Sequence, residues 1–102
     1  MEGKNLHYYR LYSIYGELLT EKQRETMEDY FGLDLSLGEI AEMRGVSRQA
    51  IKYTLDTAES ALMQYEEKLG FMAQKQRREK IIDEIYQKTF DKNLRKKLLN
   101  LL

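Results

Sequence analysis

The sequence has no cysteine, no proline and no tryptophan, and only six glycines and a single histidine in 102 residues. Without cysteine there are no disulfides, thiolate zinc sites or cysteine nucleophiles, and the chain suits a reducing compartment. Without proline, helices can run long, and the signals of strand-and-turn architecture are sparse. No apolar run approaches the length of a membrane span, and the opening MEGKNLHYYR lacks an apolar signal region, so a cytoplasmic location without a membrane span is expected. There is no glycine-rich phosphate loop and no metal-ligand cluster. His7, the only histidine, sits among tyrosines, where packing or surface exposure explains it better than catalysis. The expectation is a non-enzymatic protein with no catalytic residues, no metal and no cofactor.

Charge is abundant and unevenly placed. Charged residues make up 33% of the chain and cancel to a formal net charge of zero. Residues 1–35 hold four basic and seven acidic side chains, residues 36–70 four and six, and residues 71–102 nine and four. Positive charge is therefore concentrated in the last third. A division into residues 1–70 and a basic amphipathic extension over 71–102 follows.

Hydrophobic periodicity predicts helices throughout. Leu6, Tyr9, Tyr12, Ile14, Tyr15, Leu18 and Leu19 approximate a helical stripe over 6–19. Thr20 opens Thr-Glu-Lys-Gln, a capping box with Gln23, and a second helix is expected to about Tyr30, with Met27, Tyr30 and Phe31 inward and Gly32 ending it. Ser36 opens a second box with Glu39, followed by the short helix LGEIAEM. After Arg44-Gly45-Val46, Ser47 caps a long helix. Its seam is Ile51, Leu55, Ala58, Leu62, Tyr65 and Leu69, running to Gly70. One or two amphipathic helices follow, carrying Ile81, Ile82, Ile85, Tyr86, Phe90, Leu94, Leu98 and Leu101, with a break near 91–93.

The most informative segment is SLGEIAEMRGVSRQAI, residues 36–51. Two helices crossing steeply need a small residue at the crossing, supplied by Ala41. The turn needs a residue at ease with positive φ, supplied four residues later by Gly45. Val46 is expected to plug the turn into the core, and Ile51 to anchor the second helix. Arg44 departs from this helix-turn-helix pattern, since an apolar residue is common there; Met43 is expected to fill the space. At the start of the second helix, Arg48, Gln49 and Lys52 face outward with Tyr53 and Asp56 beside them. Arginine can fork onto guanine and glutamine onto adenine in the major groove. A merely solvated helix face competes with that reading, because Asp56 and Glu59 lie one turn on and weaken attraction for phosphate. The run Lys75, Arg77, Arg78 and Lys80 matches a nucleic-acid backbone better electrostatically, although such runs also occur on ordinary solvated helices.

Residues 18–51, LLTEKQRETMEDYFGLDLSLGEIAEMRGVSRQAI, resemble the promoter-reading region 4 of bacterial sigma factors. The continuation AESALMQYEEKLG at 58–70 and the basic QRREKIIDEIYQK are more closely similar to the small YlxM family of Gram-positive bacteria. The resemblance implies an all-α fold with a sigma region 4-like helix-turn-helix core and extra C-terminal helices. It also implies a link to the signal recognition particle pathway, because the family's genes lie beside those for the targeting GTPase Ffh or its receptor. The implied partners are Ffh or the particle's RNA, or duplex DNA for a transcriptional regulator. Ser47, Arg48, Gln49 and Ala50 match the family's recognition helix, whereas IKYTLDTAES is more acidic than usual. A homodimer is implied as well, and the apolar stripes of the first helix and the tail exceed what a three-helix core can absorb.

Overall fold

The computed structural model describes residues 3–89 and 92–101. Among them there is no strand. The chain divides into two compact units, Met1–Leu69 and Gly70–Leu102.

The first unit is built from α1 (Leu6–Tyr15), α2 (Glu21–Met27), α3 (Leu37–Arg44) and α4 (Arg48–Leu69). Short polar side chains set the helix starts by satisfying backbone N–H groups that no preceding turn can reach. Asn5 accepts from the His7 amide at 3.0 Å before α1. Before α2, Thr20 accepts from Gln23 N at 3.2 Å while the Gln23 side chain accepts from Thr20 N at 3.0 Å. Ser36 and Glu39 make the same reciprocal pair before α3, both bonds at 3.0 Å. Both capping boxes expected from the sequence are thus present.

Helix ends differ from the periodicity. The stripe over 6–19 breaks after Tyr15, and Gly16–Leu18 tightens into a 3₁₀ turn that leaves Leu18 exposed. Helix α2 stops at Met27 and widens into a π turn, Glu28–Gly32, with Leu33 N donating to Glu28 O at 2.9 Å. That widening keeps Phe31 fully buried while Tyr30 is only half-buried.

Helix α4 is the spine against which α1, α2 and α3 pack. Leu11, Tyr15, Met27, Phe31, Ile40, Ile51, Ala58 and Leu62 are each at most 1% exposed. Tyr9 stacks on Phe31, whose ring meets Tyr30 edge-on, and the Tyr15 hydroxyl donates to Glu66 at 2.6 Å, tying α1 to α4. The α4 seam is buried from Ile51 to Leu62, half-buried at Tyr65 and exposed at Leu69.

The second unit consists of α5 (Phe71–Thr89) and α6 (Lys92–Asn100). Gly70, at φ +66°, separates α4 from α5 in the left-handed conformation that favours glycine. The α6 helix folds back on α5, with Arg95 bonded to Asp83 at 2.7 and 2.8 Å and lying over the Tyr86 ring. The sequence allowed one or two helices here, and two form. The junction at Phe90 and Asp91 lies outside the described residues. Ile82 is buried, but Ile81, Ile85 and Leu101, read in the sequence as one apolar stripe, are exposed.

Candidate nucleic-acid interface

Helices α3 and α4 meet through the turn 45–47. Gly45 adopts φ 66° and ψ 34°, and Val46 N reaches back to Ala41 O at 3.1 Å, a left-handed cap that ends α3 cleanly. Ser47 then accepts from Ala50 N at 3.0 Å and starts α4. Ala41, 5% exposed, is the small residue at the crossing, next to buried Ile40 and Ile51. A helix-turn-helix is the arrangement these residues build.

Two side chains in the turn differ from expectation. Val46 is 43% exposed and does not plug the turn, because Ile40, Ala41 and Ile51 already close the crossing. Met43, 64% exposed, does not fill the space left by the missing apolar residue. Arg44 occupies that space itself: its guanidinium turns inward, donating to buried Thr26 at 2.8 Å and pairing with Asp29 at 2.5 Å. It braces α3 against the end of α2 and the π turn. The sequence gave no local sign of this, because both partners lie more than a dozen residues upstream. Lys4 was missed for the same reason. Its ammonium group donates to Tyr30 O at 2.5 Å and Leu35 O at 2.9 Å, pairs with Asp34 at 3.0 Å, and sits 4.0 Å from the centre of the Tyr30 ring. The loop that delivers the chain into α3 is therefore fastened from the N-terminal side.

The outward face of α4 begins with Arg48, Gln49, Lys52 and Tyr53, all exposed, with Tyr53 at 72%. Positions i, i+1, i+4 and i+5 share one helix face, so these four side chains form a single patch. The charges in it are not equivalent. Arg48 makes no ion pair among the described residues, whereas Lys52 is held by Asp56 at 2.7 Å. That hydrogen bond, and then the carboxylate charge behind it, raises the Lys52 pKa. One turn on, Glu59 is half-buried, and desolvation followed by repulsion from Asp56 raises its carboxyl pKa. The far end of the face is a shallow groove with Tyr8 and Met63 beside the carboxylates of Asp56, Glu59, Glu66 and Glu67. A polyanion laid along α4 would meet one free cation and then acid.

In the second unit, Lys75, Arg77, Arg78 and Lys80 are all exposed and carry no ion pair among the described residues. At helical spacing they form a collar and not a stripe, with Lys75 and Arg78 on one side of α5 and Arg77 and Lys80 on the other. Arg77 and Lys80 share a shallow groove of about 480 Å³ with Gly70, Gln74 and Gln76. Among the described residues no group of His, Cys, Asp or Glu is arranged to hold a metal, and no helix is long and apolar enough to cross a membrane.

These features define a helix-turn-helix protein of the all-α class. Residues 2–102 match a family described as "Putative helix-turn-helix protein, YlxM / p13 like", and the chain belongs to that family. It is 48% identical over 75 residues to a UPF0122 protein of Symbiobacterium thermophilum, covering 74% of this chain and 70% of the relative. It is 49% identical over 75 residues to one of Desulforamulus reducens, covering 74% of this chain and 64% of that relative. A third, from Listeria innocua, is 46% identical over 83 residues, 81% of this chain and 76% of the relative. The family is described by its helix-turn-helix and not by a catalysed reaction.

Proposed function

We propose that this protein is an accessory factor of the signal recognition particle pathway. In this reading it binds the particle's protein, Ffh, or its RNA through the outer face of α4 and the basic collar of α5. The support for the pathway is the resemblance to the YlxM family. The observation that carries the mode of binding is the uneven freedom of the cations. Lys52 is neutralised by Asp56, and Glu59 follows it. Lys75, Arg77, Arg78 and Lys80 stand exposed without acidic partners. A backbone of phosphates gains most where cations are unpaired, because released counterions supply the affinity.

A second reading has a specific observation in its favour. Arg48, Gln49 and Tyr53 stand exposed at the first turn of the second helix of a well-formed helix-turn-helix, where a sequence-specific DNA-binding regulator reads base edges. One experiment separates the two. A variant with Lys75, Arg77, Arg78 and Lys80 changed to Glu, and an Arg48→Ala variant, are titrated with particle RNA, purified Ffh and random duplex DNA across a salt series. The accessory reading expects the collar variant to lose particle binding more than Arg48→Ala does. Loss of sequence-selective duplex binding in Arg48→Ala, with particle binding intact in the collar variant, would install the regulator reading instead.

A further inference from the structure

The second unit carries a basic surface that the collar on α5 does not use. Helix α6, KNLRKKLLN, has four cations and no acidic residue. One of the four is committed, since Arg95 is paired with Asp83 at 2.7 Å and covers Tyr86. Lys92, Lys96 and Lys97 remain exposed and carry no ion pair among the described residues. Lys92 and Lys96, one turn apart, line a notch of about 700 Å³ between the end of α5 and α6, together with the side-chain amides of Gln87 and Asn100 and with Leu99. With Arg95 already neutralised, the net charge of the notch comes from the two lysines. Two ammonium groups with two amide donors form a cradle for a phosphate-sized anion.

The same unit exposes aliphatic side chains that a polar partner would leave unsatisfied. Leu101 is 81% exposed, Ile81 56% and Ile85 38%, while Leu94 and Leu98 are half-buried on the α6 stripe that leads to Leu101. A nucleic-acid backbone would engage the lysines but would gain nothing from these side chains, and base stacking would call for exposed aromatics, which α6 lacks. A bilayer interface rewards both features: anionic headgroups attract the lysines, and the acyl boundary takes up leucine and isoleucine.

We propose that the α5–α6 pair docks on anionic phospholipid at a membrane surface, with Lys92 and Lys96 holding a headgroup phosphate, Lys97 adding attraction and Leu101 inserting at the acyl boundary. This surface is independent of the particle-binding reading, which uses α4 and the first half of α5.

The test is co-sedimentation of the full chain with phosphatidylcholine vesicles, with and without phosphatidylglycerol. Attachment is expected only with phosphatidylglycerol and is expected to weaken with salt. Changing Lys92, Lys96 and Lys97 to Gln should weaken it on the order of a hundredfold, from about fivefold per lysine near a charged surface. Leu101→Asp should also weaken it, and circular dichroism should show both variants as helical as the parent, since all four positions are exposed. The collar variant (Lys75, Arg77, Arg78 and Lys80 to Glu) should sediment like the parent. Absence of attachment, or equal attachment to both vesicle types, would overturn the proposal. So would a Leu101→Asp protein that binds unchanged, which would mark the notch as a reader of phosphate alone. Equal loss in the collar variant would reduce attachment to bulk positive charge and overturn it too.

Discussion

Lys4 offers the sharpest test of how the helix-turn-helix is held. Its side chain is only 11% exposed, and its ammonium group serves two backbone carbonyls, Tyr30 O and Leu35 O, as well as the carboxylate of Asp34. Lys4→Met keeps much of the apolar stem and removes the charge. A hydrogen bond involving a charged group is worth about 1.5–3 kcal/mol. The pair with Asp34 adds little, because that carboxylate is largely exposed. Offsetting these losses, the variant no longer has to desolvate an ammonium group, and the loop carbonyls partly recover water. The net cost is about 2–3 kcal/mol, since losing both bonds outweighs the recovered solvation. For a chain of 102 residues that corresponds to a melting temperature lower by about 10 °C. Circular dichroism melts of Lys4→Met and Lys4→Arg against the parent supply the measurement, and hydrogen exchange of the 33–36 amides should accelerate in Lys4→Met. A Lys4→Met protein melting within about 2 °C of the parent would refute the latch, because that shift corresponds to less than ~0.5 kcal/mol.

Ala41→Glu should unfold the first unit or cost several kcal/mol, since a charge at the α3–α4 crossing, 5% exposed, has no partner there; unchanged chemical denaturation would count against the crossing. Glu59→Gln should raise the melting temperature at neutral pH by less than ~1 kcal/mol equivalent, the group being only half-buried. The sign follows from its raised folded-state pKa. Below the ordinary glutamate value, about 4.3, the side chain is protonated folded and unfolded and costs nothing; the cost grows as pH rises through the raised value. Melts at pH 4 and pH 7 check this, and a gain at pH 4 equal to that at pH 7 would contradict it. Light scattering at micromolar concentration should give about twice the 12.2 kDa chain mass, through the apolar stripes of α1 or the C-terminal helices; a monomer at high concentration ends that expectation.

What the sequence made legible was local. Thr20 with Gln23 and Ser36 with Glu39 are side chain-to-backbone exchanges within four residues, so their spacing alone announces them. Gly45 could be placed because the turn's positive φ admits few other residues. The exposure of Arg48, Gln49, Lys52 and Tyr53 follows from the α4 seam, since positions opposite Ile51 and Leu55 must face out. Arg44 and Lys4 were not legible, because their partners stand 15 to 31 residues away and an isolated cation in a helix or terminus looks like surface. Val46 was misplaced for a related reason: a pattern of apolar positions shows which side chains could enter the core but not how much room is left. The collar at 75–80 was legible as composition, but its division into two sides only emerges at helical spacing.

That division bears on how strongly salt should act. With a formal net charge of zero, the chain has no large monopole to draw a polyanion from a distance, so association rates should respond weakly to ionic strength and equilibrium constants more. Arg77 and Lys80 share one groove, whereas Lys75 and Arg78 face away from it. A straight nucleic-acid backbone can therefore meet about two of the four cations at once. Each phosphate neutralised contributes about −0.9 to the slope of log affinity against log salt for duplex DNA and about −0.7 for single strands. The expected slope from the collar is thus about −2 for a duplex and about −1.4 for a single strand. Removing only Arg77 and Lys80 should abolish nearly all of it, while removing only Lys75 and Arg78 should leave it almost unchanged. A parent slope near −4, halved by either pair of substitutions, would mean that the backbone wraps α5 and that the groove is not the seat of binding.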